Sequence, residues 1–381
     1  MPAFIHHVAT GNPPHRYDNT VIRDRMKRWI PGARAARLID MVYRRSGIET
    51  RHSATGDFAR DDGELFRLDA EGRFVSPPTG RRNAAYGPAA RVLAADVARR
   101  AIAGSPGLRP EQVTHVVFAT CTGFVNPGPD YHIVRELGLR PDVQRYTVGF
   151  MGCYAAFPAL RMAADICEAD SSAVVLVVCL ELCTLHVQVG DDPESITSNS
   201  LFADGAAATV VSSRPPGDGR PFYRIKGFRS ALVPSSEEHM AWTVGDHGFD
   251  MVLSSYVPDL IGKNVRGMLD DALGSHGLAA AQVGEWAVHP GGRAILDEVQ
   301  SAMGLPADAL EASRNVLRDY GNMSSPTVLF VLKRLMERPA PRPVTTCAVA
   351  FGPGLTVETA VLERVGVPAP ALAGTLHGTD A

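Results

Sequence analysis

The chain has 381 residues, a length that predicts about two or three structural units rather than one small core. Hydrophobic residues make up 45% and charged residues 21%, which excludes a disordered chain, and the net charge of −3 shows no bias towards nucleic acid or an anionic membrane. The first residues lack a basic segment followed by an apolar one, and the longest apolar run, 173–180, is too short to span a bilayer. The six cysteines lie apart in apolar surroundings, which predicts reduced thiols and a cytoplasmic protein.

The first half of the chain alternates between predicted strands and a predicted helix. Residues 1–90 show no clear pattern, and the part at 58–83, rich in arginine and aspartate, predicts loops on the surface. Valine-rich or small-residue runs predict buried strands at 114–120, 171–182 and 205–212. Residues 153–168 are small and apolar on nearly all sides, which predicts a buried helix.

The second half repeats this order. The predicted elements are a strand at 285–289, a helix at 322–337, and strands at 345–351 and 355–362. The segment 213–221 is dense in proline and glycine, so we place the boundary there, between halves 1–213 and 214–381. The alternation of strands and helices predicts an α/β fold in which helices cover mixed sheets.

Cys153 is the first candidate for chemistry. It follows Gly152 and begins the predicted buried helix, where free amides stabilise negative charge and lower the pKa of a thiol. The alternative is that Cys153 is a small buried hydrophobic residue. Gly152 favours the functional interpretation, because glycine permits a tight turn and the close approach of a substrate.

His289 and Asn322 are weaker candidates when each is taken alone. His289 ends an apolar strand where active-site loops emerge, but a lone histidine is more often structural. Asn322 follows a glycine and precedes a helix, where asparagine is an ordinary cap or turn residue. The segment Gly352–Gly354 is compatible with a plain turn between strands.

The combination is more specific than its parts. The stretches concerned are VGFMGCYAAFPALRMA (148–163), LFADGAAA (201–208), WAVHPGG (286–292), DYGNMSSPTVLFVL (319–332) and FGPGLTVE (351–358). In order and spacing they resemble the type III polyketide synthases, the chalcone synthase-like branch of the thiolase superfamily. The resemblance covers nearly the whole chain and implies a layered αβαβα thiolase-like fold of two pseudo-duplicated halves. The first half would carry the cysteine, and the second the histidine and asparagine.

The resemblance also implies roles for individual residues. Cys153, His289 and Asn322 match the catalytic triad of the family. Phe202 matches the gatekeeper phenylalanine between the CoA tunnel and the cavity, and Gly352, Pro353 and Gly354 match the scaffold of the cyclisation pocket. Arg51 lies near the basic region that contacts CoA, although Glu49 beside it weakens this match.

The implied chemistry is decarboxylative condensation. An acyl group passes from CoA, or from a carrier protein, to a Cys153 thiolate that the His289 imidazolium stabilises. Malonyl-CoA then loses carbon dioxide, and His289 and the Asn322 amide donate hydrogen bonds to the enolate oxygen. The Cys153 backbone amide donates to the later tetrahedral oxyanion. We expect no metal and no redox cofactor, a homodimer, and no nucleic-acid partner.

Four residues set this chain apart from the plant chalcone synthases. Cys183 and His186 stand where those enzymes have cavity threonines, and Trp242 and Met251 lie near the second gatekeeper. The stretch CTGFVNPGPDYHI (121–133) is more similar to bacterial alkylresorcinol and alkylpyrone synthases, which use long fatty acyl starters. We therefore predict an apolar acyl tunnel lined by Cys183, Trp242, Met251 and Leu201. The alternative for each is an ordinary core position.

Three other functions remain open from the sequence. Short starters leading to pyrone, phloroglucinol or naphthalene products require the same triad in a differently shaped cavity. A ketoacyl synthase III-like enzyme would perform a single condensation. A non-catalytic acyl-binding protein would not need an intact Cys, His and Asn set. The starter, the number of extensions and the mode of cyclisation are not determined by these residues.

Overall fold

The structure is a computed structural model that describes residues 2–217, 219–340 and 342–366. The strands within these ranges are β1 (Ala3–Gly11), β2 (His15–Asp18), β3 (Thr50–Ser53), β4 (Arg67–Leu68), β5 (Phe74–Val75), β6 (His115–Thr120), β7 (Gln144–Gly149), β8 (Val174–Leu182), β9 (Asp204–Ser212), β10 (Phe222–Leu232), β11 (Met240–Gly245), β12 (Gly248–Leu253), β13 (Glu285–Val288), β14 (Val344–Gly352) and β15 (Thr356–Val365). The α-helices are α1 (Asn19–Trp29), α2 (Ala33–Arg45), α3 (Thr79–Ala103), α4 (Pro129–Leu137), α5 (Ala156–Ala169), α6 (Pro193–Leu201), α7 (Val257–Gly274), α8 (Arg293–Met303), α9 (Glu311–Tyr320) and α10 (Thr327–Met336).

A mixed sheet of nine strands organises the molecule, in the order β13-β14-β15-β10-β1-β9-β8-β6-β7. Strand β6 pairs in parallel with β7 and β8, and β13 with β14, whereas the remaining pairs are antiparallel. Every residue of β8 is buried, as its continuous apolar sequence predicts for a strand covered on both faces. Strand β1 pairs with β9 and β10, so it joins the strands of the two sequence halves.

Two buried helices lie at the centre of this arrangement. Helix α5 contacts β6, β8 and β9 from one part of the sheet and β10 and β15 from the other, and α10 contacts strands of both parts. Helices α3 and α4 cover the outer face of the first part, and α7 and α8 cover that of the second. Helices therefore alternate with sheet in five layers, which confirms the predicted α/β fold with mixed sheets and buried helices.

The structure corrects several predicted boundaries. The buried helix begins at Ala156 rather than at 153, because Gly152–Tyr154 form a separate 3-10 turn. The helix predicted from 322 begins at Thr327, because the chain before it includes Ser324 in the left-handed region, with φ of +57°. The surface loop predicted at 58–83 is wrong at both ends, since Phe58 and Phe66 are buried in the core and α3 begins at Thr79 and buries Arg82.

The predicted halves 1–213 and 214–381 meet in the connection between β9 and β10. Residues 367–381 of the second half lie outside the described residues, and the division into halves stays a prediction. All six cysteines are buried and free of disulfides. In the described part of the chain, no helix is both long and apolar enough to span a bilayer.

Candidate active site

A cavity of about 820 Å³ brings together residues that are far apart in the sequence. Ten of the twelve predicted site residues line it: Arg51, Cys153, Cys183, His186, Phe202, Trp242, Met251, His289, Asn322 and Pro353. Gly352 and Gly354 do not line it. They flank Pro353 in the loop between β14 and β15, which packs against the turn that carries Cys153.

Cys153 lies in the 3-10 turn between β7 and α5. Gly152 has a φ of +74°, which glycine adopts without steric cost. A Cβ atom on Gly152 would lie 2.6 Å from Cδ of Pro353, and one on Gly352 would lie 2.5 Å from the ring of Tyr154. The glycines therefore allow the two loops to approach closely, and this contact places the thiol in the cavity.

The side chain of Asn322 lies beside the sulfur of Cys153. Its Oδ1 and Nδ2 atoms both lie 4.0 Å from Sγ of Cys153. The side chain is held in place, because Nδ2 donates to the Gly291 carbonyl at 3.2 Å and Oδ1 accepts from the Ser324 amide at 2.8 Å. One N–H of the amide is thus engaged by the Gly291 carbonyl, and the amide also donates towards the Cys153 sulfur.

The backbone fixes Asn322 as firmly as its side chain. Its N–H donates to the Leu201 carbonyl at 2.9 Å, and its carbonyl accepts from Ala203 N–H at 2.8 Å. These bonds bracket Phe202, which forms an isolated bridge with Asn322. Phe202 and the Asn322 amide are therefore coupled through the backbone.

His289 follows the end of β13, and its N–H donates to the Val349 carbonyl at 2.8 Å. The side chain is 1% exposed, and neither ring nitrogen has a hydrogen-bond partner among the described residues. Buried polar atoms in native proteins are nearly always paired with protein, water or ligand. An imidazole that lines the cavity with both nitrogens unengaged is therefore available to whatever occupies it.

Burial controls the protonation of this pair. It raises the pKa of the Cys153 thiol to about 11, although hydrogen bonds with Ser324 and Asn322 act in the opposite direction. It lowers the pKa of His289 to about 3. The lowered thiol pKa expected from a helix start is therefore reversed, because apolar surroundings outweigh the turn amides. Burial therefore favours the neutral form of both groups at pH 7.

Arg51 is buried beside the chain segment that ends in Phe202. Its Nη1 donates to the carbonyls of Asn199 at 2.6 Å and Phe202 at 2.8 Å, and its guanidinium lies over the ring of Tyr43. The side chain is 2% exposed, and its Nε and Nη2 have no partner among the described residues. The geometry gives Arg51 the task of holding the end of α6, and its contact with CoA stays a prediction.

The part of the cavity lining that contains His186 and Trp242 has polar side chains, but few of their polar atoms are free to bind a ligand. His186 accepts from the Phe249 amide at 3.1 Å through Nδ1 and donates from Nε2 to the Thr122 carbonyl at 2.8 Å. Burial lowers the pKa of His186 to about 4, and its ring stacks on Phe249 with centroids 4.0 Å apart. Trp242 donates to the Cys121 carbonyl at 2.8 Å. The polar atoms of both rings are therefore engaged by the backbone.

Sequence reasoning missed Glu181, which is fully buried behind the cavity. Its carboxylate accepts from the Cys121 amide at 2.9 Å, from Thr122 Oγ1 at 2.8 Å and from Ser325 Oγ at 2.6 Å. Burial raises its pKa to about 7. The sequence did contain an indication of a functional or structural role for this residue, because Glu181 lies within the otherwise apolar strand β8 and buried charges are rare unless they are paired.

Cys121 was also missed. It lines the cavity, and its sulfur lies 3.8 Å from Ser324 Oγ. Burial raises the pKa of Cys121 well above its usual range, so this thiol stays protonated. In the described residues, no group of three or more His, Cys, Asp or Glu side chains is arranged to hold a metal ion.

Comparison with known proteins identifies the family. Residues 74–215 match the family model for chalcone and stilbene synthases, N-terminal domain, and residues 225–366 match the model for the C-terminal domain. Polyketide synthase PKS-I from the brown alga Ectocarpus siliculosus is 31% identical with a TM-score of 0.86, over 96% of this chain and 98% of that one.

Two further solved structures are similar over 96% of this chain and 100% of their own. The C-terminal type III polyketide synthase domain of Steely1, a type I/III hybrid from Dictyostelium, is 26% identical with a TM-score of 0.88. ORAS, a fungal type III polyketide synthase, is 29% identical with a TM-score of 0.83. The resemblance found in the sequence is confirmed: the chain belongs to the chalcone and stilbene synthase family and is a type III polyketide synthase, an acyltransferase.

Proposed function

We propose that this synthase loads a long-chain fatty acyl starter on Cys153 and extends it by repeated decarboxylative condensation with malonyl-CoA. The product is released as an alkylresorcinol or alkylpyrone. The observation that carries the proposal is the convergence of Cys153, Asn322 and His289 in one cavity of about 820 Å³ with apolar walls. Malonyl-CoA and acyl-CoA are the substrates that the family uses in general.

Loading begins with transfer of the Cys153 proton to His289. The sulfur attacks the thioester carbonyl, and the departing thiol recovers the proton from the imidazole. Because burial favours the neutral form of both groups, His289 acts as a base during the attack rather than as a permanent cation. The 4.0 Å separation between Cys153 Sγ and the Asn322 amide supports a role for that amide as a hydrogen-bond donor to the loaded thioester.

Extension requires stabilisation of an enolate. When malonyl-CoA loses carbon dioxide, negative charge develops on the thioester oxygen, and the N–H of Asn322 that faces the Cys153 sulfur and a protonated nitrogen of His289 are the proposed donors. The carbanion then attacks the Cys153 thioester. This step returns the thiolate and leaves a chain two carbons longer.

A long starter is favoured by the extent of apolar lining. Ile22, Met26, Val42, Phe58 and Val187 contribute to the cavity in addition to Trp242 and Met251. Burial of an alkyl chain stabilises the complex by about 0.8 kcal/mol per methylene. An acetyl or malonyl starter has too few methylene groups to gain comparable binding energy from these apolar surfaces.

The test is incubation of the protein with malonyl-CoA and acyl-CoAs of graded chain length, with mass spectrometry of the products. We expect resorcinols or pyrones from long acyl-CoAs, and no acyl adduct on intact Cys153→Ala protein. Preference for short starters would replace the proposal with the short-starter alternative. A single condensation product would support the ketoacyl synthase III-like reaction instead. An acyl adduct on another cysteine would remove Cys153 as nucleophile.

We also propose a homodimer that forms through the β7 edge. Strand β7 is the last strand of the sheet and is mostly exposed, and Phe124 and Tyr146 near it are 52% and 40% exposed. Long exposed strand edges with aromatic neighbours favour association. Light scattering should give twice the 40.8 kDa chain mass, and a Phe124→Glu/Tyr146→Glu variant should be monomeric. A monomeric parent protein contradicts this proposal.

The reaction is proposed to need no metal or redox cofactor, and the protein to act in the cytoplasm. Activity that survives treatment with EDTA and extensive dialysis is the expected result for the first point. Loss of activity that a divalent metal restores would overturn it.

A further inference from the structure

One face of helix α2 is exposed and strongly cationic. At 100° per residue, its four arginines and one methionine fall within an arc of about 100°. These residues are Arg34, Arg37, Met41, Arg44 and Arg45, and all are exposed. The opposite side of α2 is buried in the core. The helix is therefore amphipathic with arginine on its free side, and we call this free side the α2 arginine face.

The charges of this face are not neutralised within the chain. On the neighbouring helix α1, Arg23 pairs with Asp24, Lys27 with Asp40, and Arg28 with Asp61. By contrast, no carboxylate of the described residues lies within 4.0 Å of the four α2 arginines. The nearest acidic side chain on α2 itself, Asp40, is engaged by Lys27. A local charge of +4 on a chain with net charge −3 marks a surface suited to a negatively charged partner.

The α2 arginine face leads directly to the active-site cavity. Met41 and Arg45 line the cavity, as do Val42 and Ser46 beside them. Arg293 at the start of α8 also lines it, and its side chain approaches Gly47, just beyond the end of α2. The face therefore begins at the mouth of the cavity and extends away from it along the protein surface.

We propose that the α2 arginine face docks an acidic acyl carrier protein that delivers the fatty acyl starter on its phosphopantetheine arm. This inference rests on the proposed function and adds the partner that supplies its first substrate. In the transfer, Cys153 Sγ forms a bond to the acyl carbon while the carbon–sulfur bond to the pantetheine breaks. The proton held by His289 returns to the departing pantetheine sulfur, so no further reactant is needed.

The extent of the face distinguishes a carrier protein from free CoA. The phosphates of CoA at the mouth are within reach of Arg45 and Arg293. Along the helix axis, Arg37 and Arg34 lie about 12 and 16 Å from Arg45 at 1.5 Å per residue. Because charges in water are screened over about 8 Å at physiological salt, these two contribute little to a phosphate at the mouth. A protein surface laid along α2 contacts all four arginines.

The experiment compares two donors of the same acyl group. Acylation of Cys153 is followed by rapid-quench intact mass with dodecanoyl-CoA and with an acidic acyl carrier protein loaded with dodecanoyl-phosphopantetheine. We expect Arg34→Glu/Arg37→Glu to lower the rate with the carrier protein about tenfold or more, because reversed rim charge slows association. Its rate with dodecanoyl-CoA should stay within about twofold of the parent, which also shows that the variant is folded.

A matched control carries the same change of charge elsewhere. Arg99→Glu/Arg229→Glu alters two exposed arginines on α3 and β10 and should behave as the parent with both donors. Equal carrier-protein rates in the parent and in Arg34→Glu/Arg37→Glu would overturn the inference. So would a parent that accepts dodecanoyl-CoA but not the loaded carrier protein, and in both cases the proposed function stands. A parent that accepts neither donor would refute the long-chain starter itself.

Discussion

Replacement of Gly152 by alanine tests how the turn at Cys153 is held against the loop Gly352–Gly354. The φ of +74° at Gly152 costs an alanine about 1–2 kcal/mol. The new Cβ would also lie 2.6 Å from Cδ and 3.1 Å from Cγ of Pro353. A proline ring cannot rotate away, so a loop must shift, and such overpacking costs about 1–3 kcal/mol. We expect the free energy of unfolding to fall by about 2–5 kcal/mol.

Two other glycines separate these contributions. Gly138 has a φ of +66° but open space around its Cβ position, so Gly138→Ala should lose only the backbone cost. Gly80, in the first turn of α3, has open space and no positive φ, so Gly80→Ala should lose no stability, because alanine favours a helix over glycine. Urea denaturation followed by tryptophan fluorescence should therefore rank the losses as Gly152, then Gly138, then Gly80.

A double variant measures the contact with Pro353 directly. Pro353→Ala removes the two ring atoms that the new Cβ would meet, so Gly152→Ala/Pro353→Ala should recover about 1–3 kcal/mol relative to the sum of the single changes. The acyl adduct on Cys153 should fall in Gly152→Ala and partly return in the double variant. The reasoning is refuted if Gly152→Ala costs no more than Gly138→Ala, or if the two changes add without coupling.

Three further predictions concern the site. The buried Glu181 carboxyl has a pKa of about 7 in the folded state against 4.5 in the unfolded state, so the parent loses stability as the pH rises from 4 to 8. Glu181→Gln lacks this loss, so its free energy of unfolding should rise by about 3 kcal/mol relative to the parent over the same pH range. Equal pH profiles of the two proteins in urea denaturation would contradict this. Asn322→Ala should lower the rate of malonyl-CoA decarboxylation by about 100- to 1000-fold but retain the acyl adduct on Cys153. A decarboxylation rate within about tenfold of the parent rate would exclude the amide as a donor. Substitution of Trp242 or Met251 by alanine should shift the preferred starter length in the acyl-CoA panel, and an unchanged profile in both would place them outside the acyl tunnel.

Much of the fold was predictable because its central elements carry strong local patterns. Strands β6, β8, β9 and β14 are continuous runs of apolar or small residues, and such runs have few alternatives to a covered strand. Strand β1 was missed, although it joins the two parts of the sheet. Its sequence contains two histidines and gives no clean pattern, so only pairing with β9 and β10 defines it.

The sequence by itself indicated the candidate chemistry, because Cys153, His289 and Asn322 lie in motifs whose order and spacing resemble those of the family. Only the tertiary structure brought Cys153 within 4.0 Å of Asn322 and gathered ten predicted residues around one cavity. It also reversed the expected thiol pKa and buried Arg51. The physical reason is that desolvation of a side chain depends on all the elements packed around it, and these come from distant parts of the chain.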